Sequence, residues 1–377
     1  MSGAATTRPV TELASAAAFS SQEREFLKGL HFRFAEFETL REALRADSFP
    51  NNAVTERIEI PPPGAIAEIP AGDAGESATL QGQDRLRRGA AGLVLLNGGM
   101  ATRFGGRVKG AVDALPGHSF LSLQMRRLQA LATGGAACPL LLMNSDATDQ
   151  QTREHLDGNG YFGLPHDDVF LFTQSGAPRL RGDGSLYRDA SGALSIYGPG
   201  HGDLLPSLRR SGALEWARRR GVTHLLVANV DNLGAALDPA LLGMFAGSGR
   251  EMMVEVCDKR REDVGGCPAS VGGRVQIVEG FAFPKGFDQQ SLPVFNTNTL
   301  WFRADALERE LPLRWYQVRK KVDGSEVVQF EQLVGQASWF LDSLFTRVPR
   351  ERFAPVKSPE DLDGIQSALR EMFPGAR

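Results

Sequence analysis

The sequence predicts an α/β fold: a three-layer, Rossmann-like domain with a mostly parallel, mixed sheet, an N-terminal helical extension and a small α+β C-terminal part. Three observations predict it. Short apolar runs bounded by turn residues recur from residue 91 onward, segments of helical periodicity separate them, and polar stretches containing glycine or asparagine follow several of the runs.

Taken in order, the opening stretch MSGAATTRPVTELASAAAF lacks the unbroken apolar core of a secretory signal and reads as a loosely ordered tail. Ser20 followed by Glu23 reads as a capping box. Leu27, Leu30, Phe34, Phe37, Leu40 and Leu44 then recur at helical spacing and predict one long amphipathic helix. Proline and glycine from Phe49 to Gly82 predict an extended surface connector. GLVLL (92–96), PLLLM (139–143), VFLF (169–172), HLLVAN (224–229) and MMVEV (252–256) predict buried strands, because unbroken apolar runs suit a sheet covered on both faces. Helices are expected over 120–132, 148–156, 204–220 and 239–245, and further strands over 276–279 and 299–302. These elements divide into an N-terminal tail, helix and connector over 1–85, a central α/β domain over 86–304 and a C-terminal segment over 305–377.

Lys and Arg number 42 against 45 Asp and Glu, and the net charge of -3 gives no general attraction to nucleic acid or an anionic membrane. Any anion site must be local. No run is long enough to span a membrane. Cys138, Cys257 and Cys267 are too few for a disulfide framework and form no CxxC pair, so a cytoplasmic setting is expected.

In an open α/β sheet, ligands bind beyond the carboxyl ends of the strands. The first such edge reads NGGMATRFGGRVKG. Gly98 and Gly99 open the backbone N–H groups to an anion, and Arg103 and Lys109 add charge. Met100 stands where a dinucleotide fingerprint needs glycine, and no GxxxxGK[ST] is present. A linking turn and a phosphate cradle are both open readings; four glycines and three basic residues between Gly98 and Lys109 favour the cradle. Gln174 carries a planar amide able to pair with both a carbonyl and an N–H of a pyrimidine, although alone it would be an ordinary surface amide. PGHGD (199–203) makes a sharp turn presenting His201, with Asp203 placed to cap the following helix. Asp231, just past a buried strand, is either a loop cap or a hard oxygen ligand of the kind magnesium takes.

LNGGMATRFG followed by VKG resembles the nucleotide-binding signature of UDP-sugar pyrophosphorylases, GGxGTRxG then PKG, with Ala101 in place of glycine and Val108 in place of proline. The resemblance continues from Leu95 to Asp363. LMNSD resembles LMNSF, FTQS resembles FNQS, and ANVDNLGA resembles the family's SNxDNLGA with Ala228 replacing serine. VEVCDKRREDVGG resembles EVTNKTxADVKGG, FNTNTLW resembles FNTNNLW, and RFAPVK resembles RFLPVK. PGHGDLLPSL is similar to PGHGDIYPSL of UTP–glucose-1-phosphate uridylyltransferases in particular.

The resemblance implies a nucleotide-diphospho-sugar transferase fold and an in-line reaction of UTP with glucose 1-phosphate. It implies Arg103, Lys109 and Lys357 on the transferring phosphates, and Asn97, Gly98, Gly99, Thr102, Asn144, Gln174 and Gly200 at the nucleotide. His201, Asn229, Asn232, Glu255, Lys259, Asn296 and Asn298 would surround the sugar and its phosphate, and Asp231 would hold Mg2+. His201 is expected to hydrogen-bond substrate rather than shuttle a proton, since the attacking phosphate oxygen is already ionised near neutral pH. YFGLP (161–165) and the GGMATR-to-VKG spacing resemble N-acetylhexosamine or broad-specificity branches, which keeps UDP-N-acetylglucosamine or wider sugar use as an alternative. A UTP- or UDP-sugar-binding protein with little turnover is a second alternative. A nucleotide-sugar-dependent glycosyltransferase would share a metal-binding Asp but has no need of the basic loop. Eukaryotic members carry a β-helical domain after the PVK region, so a short form, monomeric or a small homo-oligomer, is expected here, with no nucleic-acid or membrane partner.

Overall fold

The computed structural model describes residues 19–101, 104–131 and 136–375. The expected tail lies outside the described residues except for Phe19, which is buried. The chain forms two compact units: a smaller one of the chain up to Asn52, Gln174–Asp203 and Leu313–Leu333, and a larger one of Ala53–Thr173, Leu204–Pro312 and the chain from Val334.

In the smaller unit the capping box forms as expected, the Ser20 N–H donating to Glu23 and the Glu23 N–H to Ser20 Oγ. The single long helix does not. Helix α1 (Ser21–Gly29) ends, His31 takes a left-handed φ of 54°, and α2 (Phe34–Arg45) begins on a new axis. The break turns Phe32 inward against Phe19, Phe34 and Phe37, with ring centroids 6.0, 4.6 and 5.0 Å away. This aromatic cluster outweighs helical continuity across two turns. A hairpin of Tyr316–Val322 and Ser325–Glu331 packs Val328 and Phe330 into the same core.

The larger unit is built on an eight-stranded sheet. Its strands are β1 (Ile66–Glu68), β2 (Ala91–Leu96), β3 (Leu140–Asn144), β4 (Val169–Thr173), β5 (His224–Asn229), β6 (Met252–Asp258), β7 (Val294–Arg303) and β8 (Ser343–Arg347), in spatial order β1-β8-β6-β7-β5-β2-β3-β4. Only β7 runs antiparallel to its neighbours β5 and β6. The carboxyl ends of β2, β3, β5 and β6 therefore share an edge with the start of β7, where Asn296 lies opposite Val256. All six residues of β2 are buried, as its unbroken apolar run predicts.

Helices α3 (Gly72–Arg87), α4 (Phe120–Leu131), α5 (Asp146–Gly158), α6 (Leu204–Arg210), α7 (Ala213–Arg219), α8 (Pro239–Ser248) and α9 (Pro359–Met372) complete this unit. The expected helix over 204–220 is interrupted by Gly212 at φ 78°. The expected strand over 276–279 is Arg274–Val278, but it belongs to a separate antiparallel sheet with Cys267–Val271 and Ile58–Glu59.

The connector foreseen as far as Gly82 ends early, because α3 begins at Gly72. Its glycine is a packing residue. A β-carbon on Gly82 would fall 1.8 Å from the Pro239 carbonyl oxygen, and one on Gly243 would fall 1.7 Å from that of Ala78. Helices α3 and α8 thus cross backbone to backbone, a contact worth more than the intrinsic cost of glycine in a helix, about 1 kcal/mol.

Candidate active site

The basic loop after β2 is a hairpin: Met100–Ala101 pairs antiparallel with Arg107–Val108, turning through Gly105 and Gly106 at φ 77° and 74°. Those two positions need glycine. At Gly99 a β-carbon would meet nothing within 4 Å. Thr102 and Arg103 lie outside the described residues. Ala101 sits in paired strand backbone opposite Arg107. Val108, standing where the family has proline, adopts φ -62°, the value proline itself would impose.

Asn97 and Asn144, expected at the nucleotide, are engaged within the protein. Both are fully buried. Asn97 Nδ2 donates to Asn144 Oδ1 (2.8 Å) and Thr152 Oγ1 (2.9 Å), and Asn144 Nδ2 donates to Asp149 (2.8 Å). The two amides bind the ends of β2 and β3 to α5 and have no surface left for a ligand. Asn97 Oδ1 faces Gly110, where a β-carbon would sit only 2.5 Å away. The glycine of VKG is therefore required by the amide beneath the loop.

At the end of β5, Lys109 Nζ donates to Asp231 Oδ2 at 2.5 Å, and the two side chains are 20% and 10% exposed. The loop after β2 and the loop after β5 are thereby joined by an ion pair at the sheet's carboxyl edge. Beside it, Asn298 Nδ2 donates to Asn229 Oδ1 at 3.2 Å. Asn298 holds a left-handed φ of 55° at an irregularity in the β6–β7 pairing, a conformation Asn tolerates better than most residues. Its N–H is bound by Asn296 Oδ1 at 3.0 Å.

Glu255 and Asn232, both expected to meet sugar or nucleotide hydroxyls, are likewise engaged within the protein. Glu255 is fully enclosed and accepts a fork from Arg352 (2.7 and 2.8 Å) and a bond from Trp301 Nε1 (2.8 Å). Asn232 is 1% exposed; its amide donates to the Arg352 carbonyl (3.1 Å) and accepts from the Ala354 N–H (3.0 Å). Together they zip the strap 351–354 onto the loop that carries Asp231. A β-carbon on Gly234 would fall 2.3 Å from the Glu351 carbonyl oxygen, which shows how close the two backbones lie. Sequence reasoning gave Arg352 no role, although it heads the RFAPVK segment. Lys357, at the end of this strap, is exposed and lines an open groove with Arg260, Arg350 and Phe353. Lys259 is half-buried, with Nζ 3.3 Å from Gln290 Oε1.

In the smaller unit, the Gln174 amide lies over Gly198, where a β-carbon would come within 2.2 Å of Nε2. Gly200 has φ 84° and abuts the Gln332 carbonyl, so both freedoms of glycine are used. Burial pushes the His201 imidazole down to about 4, which leaves it neutral at physiological pH. Asp203, read as a helix cap, has its carboxylate engaged by Ser175 and Arg33.

Among the described residues no group of three His, Cys, Asp or Glu side chains converges as a metal cage, and no helix is long and apolar enough to cross a membrane. The three cysteines are free and buried.

The family model described as UTP–glucose-1-phosphate uridylyltransferase matches residues 34–375. The chain is 35% identical over 294 residues to the UTP–glucose-1-phosphate uridylyltransferase of Solanum tuberosum, covering 74% of this chain and 61% of that one. To its counterpart in Hordeum vulgare it is 34% identical over 300 residues, covering 75% and 63%. It thus spans less than two thirds of these relatives. Two solved structures share the fold. A UDP-glucose pyrophosphorylase mutant from Leishmania major in complex with UDP-glucose matches with a TM-score of 0.71 at 24% identity, covering 93% of this chain and 78% of that one. The UDP-N-acetylglucosamine pyrophosphorylase of Trypanosoma brucei in complex with inhibitor matches with a TM-score of 0.75 at 20% identity, covering 98% and 86%.

Proposed function

The chain belongs to the UTP–glucose-1-phosphate uridylyltransferase family, and from that premise we propose that it makes UDP-glucose and pyrophosphate from UTP and glucose 1-phosphate. The observation that carries this reading is the Lys109–Asp231 pair, which sets a cation and a hard anion together at the sheet's carboxyl edge. Both residues occupy positions that match the family's motifs.

An oxygen of the sugar phosphate bonds to the α-phosphorus while the bond from that phosphorus to the bridging oxygen breaks, and pyrophosphate leaves with the electron pair. The attacking oxygen is already ionised, so the enzyme's work is to hold two polyanions in line and offset their charge. Lys109, with Arg103 and Lys357 in the same role, supplies positive charge to the phosphates. Gly98, Gly99 and Thr102 present loop backbone to the triphosphate, Gln174 reads the uracil edge, and Gly200 lets the PGHGD turn approach. His201, neutral, hydrogen-bonds substrate without exchanging a proton. Asn229, Asn296 and Asn298 form an amide row for sugar hydroxyls, and Lys259 serves the sugar phosphate.

Asp231 fits magnesium in donor type: one hard carboxylate that phosphate oxygens and water would complete. When bound, the ion would neutralise charge on the triphosphate. A cytoplasmic setting suits three reduced, buried thiols.

N-acetylglucosamine 1-phosphate remains the second sugar to test, because YFGLP resembles that branch. Pyrophosphate release from UTP with a panel of sugar 1-phosphates tests the proposal. Fastest release with glucose 1-phosphate supports it; faster release with the N-acetylated sugar moves the assignment to the alternative. UTP binding without release with any sugar phosphate would make this a binding protein.

A further inference from the structure

The carboxylate of Asp203 is fully buried, and the groups that reach it lead straight to the residue assigned to the base. Its Oδ2 accepts the Ser175 N–H at 2.6 Å and its Oδ1 accepts the Ser175 hydroxyl at 3.2 Å. That N–H belongs to the peptide joining Gln174 to Ser175. Gripping it fixes the plane of the peptide from which the Gln174 side chain departs, while Gly198 gives the amide its seat.

A buried carboxylate needs charge compensation, and Arg33 provides it from far away in the sequence. Its Nη2 lies 3.2 Å from Asp203 Oδ1 and 3.4 Å from Gln332 Oε1. Gln332 in turn pins the PGHGD turn through its backbone, donating to Pro199 and accepting from Gly202, both at 2.8 Å. Arg33 is itself held in place: Nη1 pairs with Glu36 at 2.9 Å, the guanidinium lies 5.0 Å above the Trp315 ring, and Trp315 Nε1 donates to the same Glu36 at 2.8 Å. A chain of contacts thus runs from α2 to the base-reading amide.

We propose that Asp203, held by Arg33, is a positioning residue that orients Gln174 toward uracil and so sets UTP affinity and base selectivity without touching substrate. The proposal rests on the reading of Gln174 as the uracil reader. A directional hydrogen-bonding pair discriminates bases only when its angle is fixed, so loosening the peptide should cost KM and selectivity more than turnover.

The test uses the full chain, with steady-state kinetics for UTP and CTP at saturating glucose 1-phosphate. Gln174→Ala, Asp203→Asn and their double variant form a cycle. Gln174→Ala should raise KM for UTP about tenfold, the size of one good hydrogen bond. Asp203→Asn should raise it by a similar factor, narrow the UTP-to-CTP preference, and change kcat by less than about twofold. In the double variant the Asp203 change should add almost nothing, because both act through one amide. Arg33 is partly exposed and can be replaced without emptying the core, so Arg33→Met decides the matter should Asp203→Asn fail to fold; it should raise KM for UTP, and Arg33→Lys should restore most of the loss. Wild-type KM and selectivity in Asp203→Asn or Arg33→Met overturn the proposal, as does an Asp203 effect that multiplies in full with that of Gln174→Ala. A wild-type KM in Gln174→Ala itself marks the failure of the uracil-reading assignment, and the proposal falls with it.

Discussion

Replacing Lys109 by alanine separates the two things this side chain does. As the partner of Asp231 it satisfies a carboxylate only 10% exposed, and its loss leaves that carboxylate without its cation. For a partly buried group this costs about 1–3 kcal/mol of stability. As a preorganised cation on the triphosphate its loss should lower kcat by about 10²- to 10³-fold, or about 3–4 kcal/mol of transition-state stabilisation. The two effects are distinguished by a second change. Lys109→Ala with Asp231→Asn removes the unpaired charge and should recover most of the urea midpoint, while activity stays lost because the carboxylate proposed for magnesium goes too, so the catalytic loss of Lys109 is read from the single variant. Pyrophosphate release measured on each variant, beside its denaturation curve, gives both numbers. Turnover of Lys109→Ala near that of the unmodified protein, or activity that returns together with stability in the double variant, would refute the catalytic role.

Three further outcomes follow from the geometry. Gly110→Ala forces a methyl to within 2.5 Å of Asn97 Oδ1 and 2.8 Å of Leu121, and should cost about 1–3 kcal/mol by overpacking, whereas Gly99→Ala, with open space around it, should keep its urea midpoint. Equal midpoints for the two would contradict this reading of the loop. Arg352→Ala strands the fully buried Glu255 carboxylate and should cost about 3–5 kcal/mol, with Glu255→Gln in the same background recovering part of it; an unchanged midpoint for Arg352→Ala would show that the pair contributes nothing. Burial pushes His224 down from 6.5 to about 4, so the unfolded chain binds its proton first as pH falls. The stability from keeping this ring neutral is full above about pH 6.5 and is lost as pH drops to 4, about 3 kcal/mol in all. Denaturation midpoints at pH 7, 5.5 and 4.5 should fall more steeply for the native protein than for His224→Gln, and parallel slopes would sink the assignment.

Much of the fold was legible because it is written in local patterns. The strands β2, β3, β4, β5 and β6 were foreseen within two residues from apolar runs, although β4, at the sheet edge, is only partly buried, and the Ser20 capping box from four residues alone. The failures share a cause. Gly82 signals a loop in isolation and becomes an asset in a helix only because the Pro239 backbone lies across from it. Leu27 to Leu44 carry one continuous helical period, and the break at His31 is set by rings that pack from both sides of it.

The candidate site divides in the same way. Residue type alone marked a basic loop and an acid after β5, while the family resemblance added the asparagines and linked them all to a UTP site. Type could not say whether a buried amide or carboxylate faces a ligand or the protein's own backbone, since both uses call for the same chemical groups. Glu255 meets Arg352 from 97 residues away, and Asn97 meets Asn144 from 47 residues away. The sequence by itself determined the sheet, its helices and the edge where anions would be met. Only the tertiary structure decided which polar groups on that edge are bound within the protein itself, because a hydrogen bond is spent on whichever partner the fold brings within about 3 Å.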